Sequence, residues 1–163
     1  MNSTTIEASR LLLRLGLGLI FLFSGMQKVL PGTAGTVTYF SELGIPWPGL
    51  LGPFVSYLEL FGAILLMIGL LTRLMGALFF SEMVVAVLVV RLPIAVDADS
   101  VADAVAGVRL ELLMAIVAGS LVLLGGGRWS LDAFGRRRRP GLVDGAAIAS
   151  GPGPGRRPAD DPG

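Results

Sequence analysis

Four apolar segments, each long enough to cross a lipid bilayer, take up most of this 163-residue chain. The hydrocarbon core of a membrane is about 30 Å thick, so a helix that rises about 1.5 Å per residue needs roughly 20 apolar residues to span it. A soluble helix needs an apolar surface on one face only. The sequence therefore predicts an all-α integral membrane protein, a four-helix bundle whose spans cover residues 11–30, 50–71, 74–92 and 108–125.

The segments between the spans carry signals for helix ends and turns. Residues 36–43 are predicted to form a short helix capped by Gly44. A helix continuous through the second and third spans would be about 64 Å long, twice the bilayer, so the chain is expected to turn near Arg73. Pro93 is expected to end the third span, and the link to the fourth is expected to run through Gly107.

The distribution of basic residues predicts how the bundle is oriented. With an even number of spans, both termini and the turn between spans two and three lie on the same side. Cytoplasmic segments carry an excess of lysine and arginine, so both termini are predicted to be cytoplasmic, in the plasma or inner membrane. The basic residues on that side are Arg10, Arg14, Arg73, Arg128 and the run Arg136–Arg139.

The chain divides by composition into a membrane domain, residues 1–135, and a tail, residues 136–163. The tail is basic at first and then rich in glycine and proline, so it cannot bury enough apolar surface to offset the entropy of ordering and is predicted to be disordered. Its arginine run is interpreted as a topology signal. Binding to anionic lipid head groups is the alternative, and nucleic-acid binding is not expected.

The sequence contains no cysteine and no histidine. This excludes disulfides, thiolate metal sites, Cys-ligated iron–sulfur clusters and His-ligated haem. A redox cofactor bound through the chain's own Cys or His ligands is therefore excluded, and no metal site is expected. A quinone held without covalent attachment remains compatible with the sequence.

Ionisable residues within the spans are the main candidates for a functional site, because burying a charge in the bilayer costs about 2.5–3.5 kcal/mol on insertion scales. Two interpretations stay open: a ligand pocket or proton-accepting site, or interhelical ion pairs that fix the bundle. Arg91 and Arg109 are near enough to the membrane surface to anchor there by extending their side chains. The candidate polar site consists of Glu59, Glu82, Glu111, Lys28, Gln27 and Arg109.

Several short patterns occur in order along residues 11–134: RLGLGLIF at 14–21 with SGMQK at 24–28, LGIP at 43–46, LELFG at 58–62 with GLLTR at 69–73, and GGGRWSLD at 125–132. Together they resemble the DoxX family of small four-span membrane proteins. The resemblance implies an association with quinone-linked redox chemistry, and acidic residues at the positions of Glu59 and Glu111. Many relatives carry a histidine where Ser24 stands here, and this difference argues against a self-sufficient redox role.

Two functional hypotheses follow from the resemblance and the buried charges. The first is a non-catalytic membrane subunit or anchor of a redox assembly, either quinone-linked or active in oxidative stress. The second is a small proton-coupled transporter or channel that uses the intramembrane glutamates. An enzyme acting alone is the least favoured alternative. A four-span bundle has little interior volume, so membrane lipid and either a protein partner or a second copy of the chain are the expected partners.

Overall fold

The computed structural model describes residues 3–96 and 100–137, and every regular element in this part of the chain is helical. The all-α prediction is therefore confirmed. The first two residues of the predicted tail, 136 and 137, belong to the last helix, and the rest of the tail lies outside the described residues. The elements are α1 (Ser3–Val29), α2 (Ala34–Glu42), α3 (Pro48–Ile68), α4 (Thr72–Val85), a π-helical segment (Ala86–Arg91), α5 (Leu92–Val96), α6 (Val101–Leu124) and α7 (Leu131–Arg137).

Three helical stretches in the described part are long and apolar enough to cross a membrane: Pro48–Ile68, Thr72–Val96 and Val101–Leu124. These correspond to the second, third and fourth predicted spans. The predicted first span, residues 11–30, lies in α1 except for its last residue, and α1 is 27 residues long but is not among these three stretches. Helix α1 begins well before the predicted apolar segment and carries Glu7, Arg10 and Arg14 in its first half.

The predicted turn between the second and third spans is confirmed. Helix α3 ends at Gly69, whose φ of +76° is the left-handed conformation that glycine adopts without a steric penalty. Leu71 also has a positive φ of +54° and directly precedes the start of α4. The predicted short helix is present as α2, and Gly44 follows it with a φ of +70°.

The third span is longer than the sequence predicts, and the expectation that Pro93 ends it is wrong. The helix passes through a π-helical segment and continues as α5 to Val96. Pro93 has no amide hydrogen to donate, and it directly follows the π-helical segment, where the Leu92 amide donates to the carbonyl of Val87 five residues earlier, so the helix accepts the proline next to an existing irregularity. The link is also shorter than predicted, since α6 already begins at Val101, where the Ser100 side chain accepts a hydrogen bond from the Asp103 amide at 3.2 Å.

The helices pack mainly in two pairs, α1 along α3 and α4 along α6, while α2 lies on α3. The two pairs meet in the core, where the rings of Phe21 on α1 and Phe79 on α4 stack with their centroids 3.9 Å apart. Both side chains are fully buried, together with Leu66 and Leu121 from the other two long helices. The stacked pair therefore joins the two halves of the bundle.

A network of buried polar groups closes the end of the bundle where α7 lies. Arg14, only 1% exposed, donates hydrogen bonds to the carbonyls of Gly126 at 2.5 Å and Trp129 at 2.9 Å. Glu7 accepts a hydrogen bond from the Arg128 amide at 2.5 Å. Asp132 accepts from the amides of Leu71 and Thr72 at 2.8 and 2.9 Å. These contacts fasten the GGGRWSLD segment to α1 and to the α3–α4 turn.

Candidate functional site

A buried ion pair joins α1 to α3 on the α2 side of the Phe21–Phe79 stack. Lys28 donates a hydrogen bond to Oε1 of Glu59, which is only 2% exposed. The pair forms because the two helices approach closely one turn earlier, at Gly25. A Cβ atom on Gly25 would lie 2.5 Å from the backbone nitrogen of Leu60, so a residue with a side chain would hold the helices apart.

Helix α4 brings a second carboxyl to this pair. Glu82 lines the same cavity as Lys28 and Glu59, and its carboxyl interacts with Glu59 and with the charge of Lys28. Oε2 of Glu59 and Oε2 of Glu82 are both buried and have no donor among the described residues. Two carboxyl groups can hydrogen-bond to each other only when one of them carries a proton. This arrangement is therefore suited to holding one proton between two buried acids.

A second ion pair lies between the π-helical segment and α6. Arg91 donates from Nε to Oε1 of Glu111 at 2.7 Å, and its Nη2 lies 2.6 Å from the same oxygen. Arg91 is the last residue of the π-helical segment, and such segments are frequent at functional sites. The wider π-helical turn changes which direction the following side chains face. Arg91 thereby pairs with a carboxylate within the bundle, which differs from the predicted role as a surface anchor.

Both ion pairs and Glu82 line one cavity of about 560 Å³. This volume falls in the range of small-molecule sites, about 300–1,000 Å³. Most of the wall is apolar, with contributions from α1, α2, α3, the third span and α6. Tyr39 and Phe40 of α2 form part of it, and α2 is fixed to α3 in part by a hydrogen bond from Ser56 to Thr36 of 3.3 Å. The site is thus a cavity with a mostly apolar wall and a few polar side chains.

The structure gathers four of the six predicted site residues around this cavity: Lys28, Glu59, Glu82 and Glu111. Gln27 faces away from it and lines a neighbouring depression of about 320 Å³ with Lys28 and residues of α2. Arg109 is exposed on α6 and does not line the cavity. The predicted set lacks Arg91. No simple sequence pattern indicates the π-helical segment that ends at Arg91.

Among the described residues, no group of three or more acidic side chains is placed so that it could hold a metal ion. The positive charges that line the cavity, Lys28 and Arg91, each already contact a carboxylate. Three carboxyl groups face these two cations. The cavity wall therefore has one acid more than it has cations, and the unpaired one is Glu82.

Comparisons with known proteins identify one family and two similar proteins. The family model described as DoxX matches residues 9–92. The "Putative oxidoreductase CatD" of Bacillus subtilis is 30% identical over 134 residues, which cover 82% of this chain and 91% of that protein. The "Inner membrane protein YphA" of Escherichia coli is 38% identical over 69 residues, 42% of this chain and 49% of that protein. No solved structure matches the chain significantly.

Proposed function

This chain belongs to the DoxX family, and from that premise we propose that it is a non-catalytic membrane subunit of a redox assembly, with a cavity that holds a quinone. Electrons reach the quinone from a partner protein, since the sequence has no cysteine or histidine to bind a common redox cofactor of its own. The name of the Bacillus relative, "Putative oxidoreductase CatD", supports the association with redox chemistry.

The observation that carries the proposal is the cavity beside the Lys28–Glu59 pair. A quinone has an apolar ring and tail with polar oxygens at two positions of the ring. The cavity offers the matching chemistry, an apolar wall interrupted by Lys28, Glu82 and Arg91. A few placed polar groups in an otherwise apolar chamber are typical of sites that orient a small ligand.

We also propose that α1 is the fourth span and that both termini lie in the cytoplasm of the plasma or inner membrane. Helix α1 is about 40 Å long, sufficient to cross the bilayer. In this orientation the cavity opens in the outer half of the membrane, and the polar network around Arg14 lies near the cytoplasmic surface, where basic residues are favoured. Lipid covers the remaining apolar surface, apart from the area occupied by a partner protein or a second copy of the chain.

The test is to purify the tagged full-length protein from native membranes in mild detergent and to identify by mass spectrometry what accompanies it. The proposal predicts a redox enzyme in fixed ratio to the chain and a quinone in the lipid extract, enriched over its proportion in the membrane. A preparation of only the chain and bulk lipid, with no quinone enrichment, would contradict the proposal.

A second function, proton-coupled transport or a channel, is favoured by one observation, the contact between Glu59 and Glu82. A proton shared by two acids within the membrane is a feature of proton relays. In proteoliposomes with a pH-sensitive dye inside, this function predicts a proton flux that Glu59→Gln and Glu82→Gln each abolish. If proteoliposomes with the wild-type protein show no proton flux, the subunit function is the better explanation.

A further inference from the structure

The charges on the cavity wall do not balance. The ionisable side chains that line the cavity come from six elements: Lys28 of α1, Tyr39 of α2, Glu59 of α3, Glu82 of α4, Arg91 of the π-helical segment and Glu111 of α6. Lys28 is paired with Glu59 and Arg91 with Glu111, whereas no cation among the described residues forms an ion pair with Glu82. The wall therefore has one carboxyl group whose charge the protein leaves without a partner.

The surroundings of Glu82 make this imbalance unfavourable. Oε2 of Glu82 is buried, and so is Oε2 of Glu59, a residue that is only 2% exposed. Neither oxygen has a hydrogen-bond partner among the described residues. A carboxylate away from water is costly unless it gains a counter-charge or is neutralised by a proton. A proton shared between the two acids is one solution, and a cation bound in the cavity is the other.

The rest of the wall determines which kind of cation fits. A volume of about 560 Å³ is much larger than an inorganic ion requires and is typical of small organic ligands. The wall is mostly apolar and includes the aromatic rings of Phe21, Phe40 and Phe54. Aromatic faces attract organic cations, and quaternary ammonium groups are bound in this way. The cavity therefore matches a ligand that has an apolar body and one positive charge.

We propose that the cavity binds an amphipathic organic cation, with Glu82 as its counter-ion. This inference goes beyond the proposed function, because a quinone is neutral and does not balance the charge of Glu82. It depends on the charges of the wall and not on a redox partner. Glu82 is the residue that determines the preference for a positive charge, and the apolar wall holds the body of the ligand.

The experiment compares two probes of the same shape: the phenylbutyl-trimethylammonium cation and its neutral isostere, in which a carbon atom replaces the nitrogen. Dissociation constants are measured by equilibrium dialysis on the full chain in phosphatidylcholine nanodiscs, and binding to empty nanodiscs is subtracted. The solution is kept at about pH 8, where protons compete least with the cation. Wild type is expected to bind the cation about tenfold more tightly than the isostere, because the attraction to Glu82 exceeds the cost of desolvating the cation.

Two variants separate the charge of Glu82 from a structural role. Glu82→Gln removes the charge with little change of shape and is expected to bind both probes as wild type binds the neutral one. Glu42→Gln makes the same change at an exposed position outside the cavity and is expected to keep the preference for the cation.

The inference would be overturned if wild type bound the two probes equally, or if it bound neither. It would also be overturned by a preference for the cation that persists in Glu82→Gln, or by a variant that binds both probes more weakly, which would assign Glu82 a structural role. Each of these results leaves the quinone proposal to its own test, since neither probe is a quinone.

Discussion

Gly25 of α1 packs directly on the backbone of Leu60 in α3, so closely that a Cβ atom would lie 2.5 Å from the Leu60 nitrogen. This contact sets the separation of the two helices. Lys28 follows Gly25 by three residues and Glu59 directly precedes Leu60, so the same contact brings the charged pair together. Small residues permit such close helix approaches in membrane bundles.

Gly25→Ala is therefore expected to destabilise the protein by about 1–3 kcal/mol, because the helices must separate or shift to accept a methyl group. The measurement is the midpoint of thermal unfolding of the detergent-solubilised protein, followed by circular dichroism. Gly16→Ala on the same helix is the matched control, since nothing lies within 4 Å of the added atom. It is expected to be neutral or to stabilise by about 0.5–1 kcal/mol. Equal effects of the two substitutions would contradict the close-contact explanation.

Lys28→Met is expected to cost about 3 kcal/mol, because it leaves the buried Glu59 carboxylate without its cation. The double variant Lys28→Met with Glu59→Gln removes the stranded charge and should recover part of the loss. The midpoints of thermal unfolding test whether the double variant is more stable than Lys28→Met alone. Arg91→Met makes a useful comparison, since its side chain is 40% exposed and its pair with Glu111 is expected to contribute less. A double variant less stable than Lys28→Met alone would contradict the prediction.

Asp132→Ala is expected to destabilise the protein by about 0.5–2 kcal/mol, because the amides of Leu71 and Thr72 at the start of α4 lose their acceptor. Leu71, held in a left-handed conformation with φ of +54°, loses one of these hydrogen bonds. Asp132→Asn keeps one accepting oxygen and should lose less. Amide hydrogen exchange is the direct measurement, and faster exchange at Leu71 and Thr72 in Asp132→Ala is the expected result. Unchanged exchange there would show that the cap does not hold the turn.

Val55→Phe is expected to lower the amount of quinone that co-purifies with the protein, because Val55 lines the cavity and a larger ring occupies part of it. Val105→Phe on α6 adds the same atoms at an exposed position outside the cavity and should leave the quinone content unchanged. Liquid chromatography of lipid extracts, normalised to protein, measures both. Equal quinone content in the two variants would place any bound quinone elsewhere.

The sequence was sufficient to predict the helices and most of the charged site. Apolar segments of about 20 residues allow few other structures, and the cost of burying a charge in the bilayer points to Glu59, Glu82 and Glu111. Gln27 is in the predicted set because its amide could add hydrogen bonds to the site, but neighbouring residues on a helix point about 100° apart, and only Lys28 of the two lines the cavity.

Arg91 is absent from the predicted set for a different reason. A regular helix would have ended at Pro93 and left Arg91 free to extend to the membrane surface. The π-helical segment changes the direction of this side chain, and no simple periodicity in the sequence predicts such a segment. The sequence does not indicate Glu7 and Asp132 as partners in the network around Arg14, because both lie outside the apolar segments. Their contacts join chain positions 121 and 60 residues apart, which local patterns do not reveal.

The central claim, that the cavity beside Lys28 and Glu59 is a quinone site, is tested most directly by photolabelling with an azido-quinone, followed by digestion and peptide mass spectrometry. The account predicts labelling on peptides that contain residues of the cavity wall, such as Val55 of α3 and Met114 of α6, and suppression of that label by excess unmodified quinone. Labelling spread over lipid-facing residues such as Leu12 and Leu123, without competition, would contradict it.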